Sequence, residues 1–289
     1  MIRTILVPIS GSTTDHSVCA TALAAARPLA AHLDFYHLRM SCTAAAPYYP
    51  HLDFAVGSGL TQGLRTISNQ EEALSIEARA HFTEFCKEHK LPLKSDPGVC
   101  GQVTVSFTEE MDDPHRRLLH RAKRNDLVVL GRKKHTDYMP PDLLEDLLLE
   151  GARPLLLAPA RAPRSIVDTI MIGWNGSPAA ERAVISALPF LKRARRVVAV
   201  TVDLLGTQSE RCCEDLSAQL AWHAIKVEHR LLHQAQGDAT SQLMHVSAQI
   251  GAEMIVIGGY GHGPLRETIF GGVSQALIED AAIPVLMMH

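Results

Sequence analysis

Thr4-Ile-Leu-Val-Pro-Ile-Ser-Gly-Ser12 and Thr169-Ile-Met-Ile-Gly-Trp-Asn-Gly-Ser177 decide how the chain is read. Each is a short apolar run closing in a Gly-Ser turn, and the second begins 165 residues after the first. Asp126-Leu-Val-Val-Leu-Gly131 returns as Glu253-Met-Ile-Val-Ile-Gly258 at a spacing of 127, and Arg153-Pro-Leu-Leu-Leu157 returns as Ile283-Pro-Val-Leu-Met287 at 130. One unit is therefore written twice. The spacing drops by 38 between the first match and the second, so the first copy carries an insertion of about that length. The run from Ser41 to Asn69, with Pro47-Tyr48-Tyr49-Pro50 and Gly57-Ser58-Gly59, reads as a loop and is its obvious place. A first unit over 1–160 and a second over 166–289 follow, joined by Ala158-Pro-Ala-Arg-Ala-Pro-Arg164. So short and proline-stiffened a linker suits two units packed as a pseudo-dimer within the chain, and it leaves the pairing of two chains open.

Continuous apolar runs of four to six residues alternate with longer helical patterns, as parallel strands covered on both faces require. In the second copy the pattern predicts strands at Thr169–Ile172, Arg196–Val202, Lys226–Leu232, Met254–Ile257 and Val285–Met287. Helices are predicted near Ala179–Arg193, Ser209–His223, Ala239–Ile250 and Val273–Asp280. The expected fold class is α/β, two tandem doubly wound parallel-sheet domains. Ligands of such sheets sit at the carboxyl ends of the strands where strand order reverses, which directs attention to the loops after the first and fourth strands.

Composition narrows the function classes. The 289 residues are 46% hydrophobic and 20% charged with a net charge of -3, which describes a core-forming chain and excludes disordered and fibrous classes. Without a basic surplus, nucleic-acid binding is not expected. Met1 to Pro8 reads as a strand and not as a leader, and the most apolar stretch, Val18 to Ala31, is interrupted by Arg27 and Pro28, so no membrane span is expected. The six cysteines form no C-x-x-C pair, which fits a reducing cytoplasm, and the 15 histidines show no metal-binding spacing, so no metal is assigned.

After the fourth strand of the second copy come Gly258-Gly259-Tyr260-Gly261-His262-Gly263 and then Gly271-Gly272-Val273-Ser274, opening the last helix. Glycines after a strand let backbone amides approach an anion, and a helix N-terminus adds unpaired donors and a favourable dipole. A glycine-rich turn without a ligand is the competing reading. The pattern Gly258-x2-Gly261-x9-Gly271, with Ala252-Glu-Met-Ile-Val-Ile257 before it and Ala282-Ile-Pro-Val-Leu-Met-Met288 after it, resembles the nucleotide-binding signature of the universal stress protein family. The opening Ile172-Gly-Trp-Asn-Gly-Ser-Pro-Ala-Ala-Glu-Arg-Ala-Val184 resembles that family's first strand and helix.

The resemblance spans nearly the whole chain as two tandem domains, the second being the better match. It implies a flavodoxin-like fold, pairing of units about a two-fold axis, and ATP or AMP as ligand. By position it places Gly258 and Gly261 at ribose and phosphates, Gly271, Gly272, Val273 and Ser274 at the phosphates, and Asn175 with the Val202 backbone at adenine, with Gly259, His262 and Gly263 in the same loop. Two residues depart from the family's pattern. Gly272 stands where a serine or threonine is usual, and Asn175 where an aspartate is usual.

The corresponding loop of the first copy reads Gly131-Arg-Lys-Lys-His-Thr-Asp-Tyr-Met-Pro-Pro141, with Lys134 in place of the second glycine and Ser10 in place of the adenine-side aspartate. That copy is expected to be structurally retained and unable to bind nucleotide, with Arg132-Lys133-Lys134 as a solvated charged run. The candidate loops offer only His262, Tyr260 and Ser274 as nucleophile or base, and none has a visible partner, so no enzyme is expected. The leading expectation is a regulator in which nucleotide orders Gly261 to Phe270. A nucleotide-free scaffold built from two such folds is the alternative.

Overall fold

The computed structural model describes residues 1–41, 58–94, 98, 101–132, 143–203, 210–233, 239–259 and 272–289. In the first half β1 (Thr4–Pro8), α1 (Asp15–Ala26), β2 (His32–Met40), α2 (Ser58–His89), β3 (Thr104–Asp112), α3 (Pro114–Ala122), β4 (Leu127–Leu130), α4 (Leu143–Glu150) and β5 (Leu155–Leu157) follow one another. The second half repeats the order with β6 (Thr169–Gly173), α5 (Pro178–Leu191), β7 (Arg196–Asp203), α6 (Glu210–Ala221), β8 (Glu228–His233), α7 (Ala239–Gln249), β9 (Met254–Gly258), α8 (Gly272–Asp280) and β10 (Val285–Met288).

The ten strands form one sheet in the order β3-β2-β1-β4-β5-β10-β9-β6-β7-β8. All the pairings are parallel except the central one, where β5 and β10 run antiparallel with Leu157 opposite Val285 and Leu155 opposite Met287. The two doubly wound halves thus join edge to edge. Strand order reverses between β1 and β4 in one half and between β6 and β9 in the other. Two cores cover the faces, and each runs through both halves: Ile5, Phe35, Ile170 and Phe190 belong to one, Leu6, Leu147, Ile255 and Leu277 to the other.

Local signals account for several boundaries. The Ser177 side chain caps α5 by accepting from the Ala180 amide, with Pro178 in the first turn where its missing N–H costs nothing. Helix α1 stops at Ala26, Arg27–Leu29 tightens into a 3-10 turn around Pro28, and Ala30 closes it in the left-handed conformation at φ 49°. The expected loop from Ser41 to Asn69 needs correction, because residues 58–69 are the opening turns of the 32-residue α2. Ile67, Ala78, Phe82 and Phe85 recur at helical spacing and are buried, and this stripe outweighs the glycines that suggested a loop. Pro47 to Pro50 of that run lie outside the described residues. Among the described residues no helix is long and apolar enough to cross a membrane.

Candidate functional site

The site follows from the reversal between β6 and β9. Gly173 pairs with Ile257 on one side and Val200 on the other, so the ends of β6, β7 and β9 stand side by side. Trp174 continues the ladder through its amide to the Val200 carbonyl at 2.9 Å, and its buried indole donates to the Cys212 carbonyl of α6 at 3.0 Å. Beyond it the chain turns outward at Asn175 and Gly176, both exposed. Asn175 Oδ1 accepts from the Ser177 amide at 3.1 Å, which holds the turn, and Gly176 adopts φ +66° with room for a Cβ denied by Cys212 Sγ at 2.8 Å. The positive φ calls for glycine here.

On the neighbouring strand Gly258 packs against the start of α5, and Gly259 is buried. The Gly259 amide, one of those expected to face a phosphate, donates instead to the Met288 carbonyl at 2.7 Å. It extends the β9–β10 ladder. The Gly259 carbonyl lies 3.2 Å from His289 Nδ1, and Arg182 of α5 donates to the His289 carbonyl at 2.7 Å, so α5, β9 and β10 are tied together at this end of the sheet. Gly258 likewise has a packing role, against the backbone of Ala179 and Ala180. Val202 pairs with Leu232 in β8, two residues beyond the Val200 that meets Gly173.

Of the predicted site residues, the structure therefore brings Asn175, Val202, Gly258 and Gly259 to adjacent strand ends. Gly272, Val273 and Ser274 form the first turn of α8. Gly261, His262, Gly263 and Gly271 lie outside the described residues. The Asn175-Gly176 turn is exposed and polar, while the loop expected at the phosphate end lies outside the described residues. Among the described residues no group of three or more His, Cys, Asp or Glu side chains could hold a metal ion.

The matching turn of the first half is built differently. Asp15, 2% exposed, accepts from the Ser10 amide at 3.0 Å and the Gly11 amide at 2.8 Å. Its Oδ2 is 3.2 Å from His81 Nδ1 of α2. Gly11 has φ +84°, and a Cβ on it would sit 2.3 Å from the Leu74 carbonyl oxygen. A carboxylate from within the chain thus occupies the turn amides. Sequence reasoning missed this role of Asp15; its signal is an acidic residue five positions after Ser10, where the second half has Ala180.

A second residue was also misread. Arg132, expected in a solvated run, is 2% exposed, and its guanidinium donates to main-chain carbonyls of both halves. Burial pushes its pKa down to about 10, against an opposing pull from Asp280. Lys133 and Lys134 lie outside the described residues.

Comparison with known proteins agrees with this architecture. The model of the Universal stress protein family matches residues 167–289. A universal stress protein from Archaeoglobus fulgidus DSM 4304 superimposes with a TM-score of 0.70 at 14% identity, over 99% of this chain and 95% of its own. A functionally unknown protein from Pseudomonas aeruginosa PAO1 does so with a TM-score of 0.56 at 15% identity, over 99% and 92%. These likenesses establish the fold across both halves, and the family match is to the second. Residues 167–289 thus form a Universal stress protein domain.

Proposed function

We propose that the chain is an adenine-nucleotide-responsive regulatory protein with one site, in the second half, taking ATP or AMP. The observation that carries this reading is the contrast between the two turns. In the first half the Ser10 and Gly11 amides are taken by Asp15, whereas in the second half Ala180 stands at that position and Asn175-Gly176 remains exposed beside the ends of β7 and β9. Family membership of residues 167–289 and the glycine pattern before α8 support adenine nucleotide as the ligand class.

Bound there, the nucleotide would meet Asn175 and the Val202 backbone with its base, and the first turn of α8 with its phosphates. Asn175 is uncharged, so it recognises the base or ribose by hydrogen bonding alone. A helix N-terminus such as that of α8 offers amides with no partner within the helix, and a favourable dipole. The role proposed is binding and signalling without catalysis, the first half serving as a paired partner across β5 and β10 within a pseudo-dimer.

Isothermal titration of the full chain with ATP and with AMP tests the reading. The expected stoichiometry is one per chain, and Gly261→Val should abolish binding by filling the phosphate side with a branched side chain. A stoichiometry of two, or binding indifferent to Gly261→Val, contradicts it. No heat with either nucleotide leaves the scaffold alternative.

A further inference from the structure

Arg132 reaches out of one half and into the other. It follows Gly131 at the carboxyl end of β4, yet Nη1 donates to the carbonyls of Leu277 at 2.6 Å and Ile278 at 2.8 Å in the last turn of α8. Nη2 donates to the Ile283 carbonyl at 3.1 Å, and Nε to the Ala158 carbonyl at 3.2 Å. The last carbonyls of a helix have no partner within it and carry partial negative charge, so a cation is favoured at that end. Helix α8 has no basic residue in its own last turn. The first half provides the missing charge.

The arrangement is one-sided. Gly259 holds the equivalent place in the second half, and a Cβ on it would meet Leu148 of α4 at 3.5 Å, much as Arg132 meets Ile278 of α8. Each half thus presents the residue after the β4 or β9 glycine position to the other half's last helix, but only the first presents a guanidinium. The loop that lost its glycine pattern gained a grip on the helix that follows the surviving one.

We propose that Arg132 is a positioning residue for the second half's ligand site. By holding the C-terminal end of α8 it sets where the first turn of that helix, Gly272 to Ser274, meets the phosphates. This rests on the nucleotide reading above. A helix of nine residues is a short rigid rod, about 13 Å long, so tilting one end displaces the other. Leu277 and Ile278 are buried in the core, so α8 stays docked when the guanidinium is removed and only its placement loosens.

The test uses the full chain and its Arg132→Met and Arg132→Lys variants, titrated with ATP and with adenosine, alongside hydrogen exchange over residues 272–280. Arg132→Met should weaken ATP about tenfold while changing adenosine less than about twofold, and should speed exchange in α8 more than in β9. Arg132→Lys, which keeps a charge but not the fork, should recover part of the ATP affinity. If Arg132→Met does not fold, Arg132→Lys carries the same comparison, with ATP weakened more than adenosine. Equal loss of both ligands, or no loss, with a binding wild type overturns the proposal and leaves Arg132 a structural brace. A wild type that binds neither ligand overturns the nucleotide reading itself.

Discussion

Gly258 of β9 and Ala180 of α5 approach so closely that a Cβ on the glycine would stand 2.5 Å from the Ala180 amide nitrogen, with the Ala179 carbonyl carbon at 2.7 Å. Backbone cannot give way as a flexible side chain can, so Gly258→Ala must push α5 off the sheet. A loss of about 1–3 kcal/mol is expected. Gly259→Ala meets only ordinary contacts with Leu148 and Met287 and should stay within about 0.5 kcal/mol of wild type. Urea unfolding of the two variants checks the pair, and a Gly258→Ala protein as stable as wild type would contradict the geometry.

What the sequence conveyed well was whatever repeats or has a period. Thr169–Gly173 and Met254–Gly258 exceed their predicted strands by one residue each, because continuous apolar runs mark buried parallel strands directly. The opening of α2 was misjudged because Gly57, Gly59 and Gly63 are local breakers, while the stripe from Ile67 to Phe85 that holds the helix acts through tertiary packing. Asp15 and Arg132 were illegible for a related reason. Asp15 meets His81 across 66 residues, and Arg132 meets Leu277 across 145. No spacing rule connects such partners, and a charged residue beside a loop reads as solvated until the neighbouring element is placed over it. For Gly258 the residue type was noticed but the helix lying against it was not, since a glycine looks the same in a sequence whether a phosphate or a helix lies against it.

Asp15→Ala should destabilise the first half. It leaves the Ser10 and Gly11 amides without their acceptor and removes the carboxylate beside His81. Hydrogen bonds to a buried charged group are each worth more than neutral ones, and a loss of about 2–3 kcal/mol is expected. Asp15→Asn, which keeps one acceptor oxygen, should lose less. Denaturant unfolding ranks the three proteins, and an Ala variant within about 0.5 kcal/mol of wild type would show that the carboxylate does not hold this turn.

Acid should weaken the chain through two histidines, one in each half. Burial lowers the pKa of His32, whose ring nitrogens meet Thr104 and Ser106 hydroxyls at 2.8 and 2.9 Å, although Asp34 pulls the other way. Burial also lowers that of His229, whose Nε2 meets Ser217 Oγ while Nδ1 is buried with no partner among the described residues. A folded-state pKa below the unfolded value means that the unfolded chain takes up the proton first. Their contribution is therefore fully present above about pH 6.5 and is lost as pH falls below it. Unfolding free energies measured between pH 7.5 and 5.5 should fall less steeply for the His32→Gln, His229→Gln double variant than for wild type, and identical slopes would rule the two rings out.

Gly272→Ser should tighten nucleotide binding, because it places a hydroxyl on the first residue of α8, where the family's usual serine or threonine is missing. One added donor to a charged acceptor at a helix N-terminus is worth on the order of 1 kcal/mol or slightly more, a gain of about five- to tenfold. Stability should move by only a few tenths of a kcal/mol, since glycine and serine differ little at the start of a helix, so any change in affinity belongs to the ligand. The gain should be larger for ATP than for AMP if the residue faces the outer phosphates. Titrating both nucleotides against both proteins separates the cases. A larger gain for ATP supports the placement of the α8 N-terminus at the phosphate chain, an equal gain puts position 272 nearer the α-phosphate, and a loss with both shows that the glycine is needed for close approach.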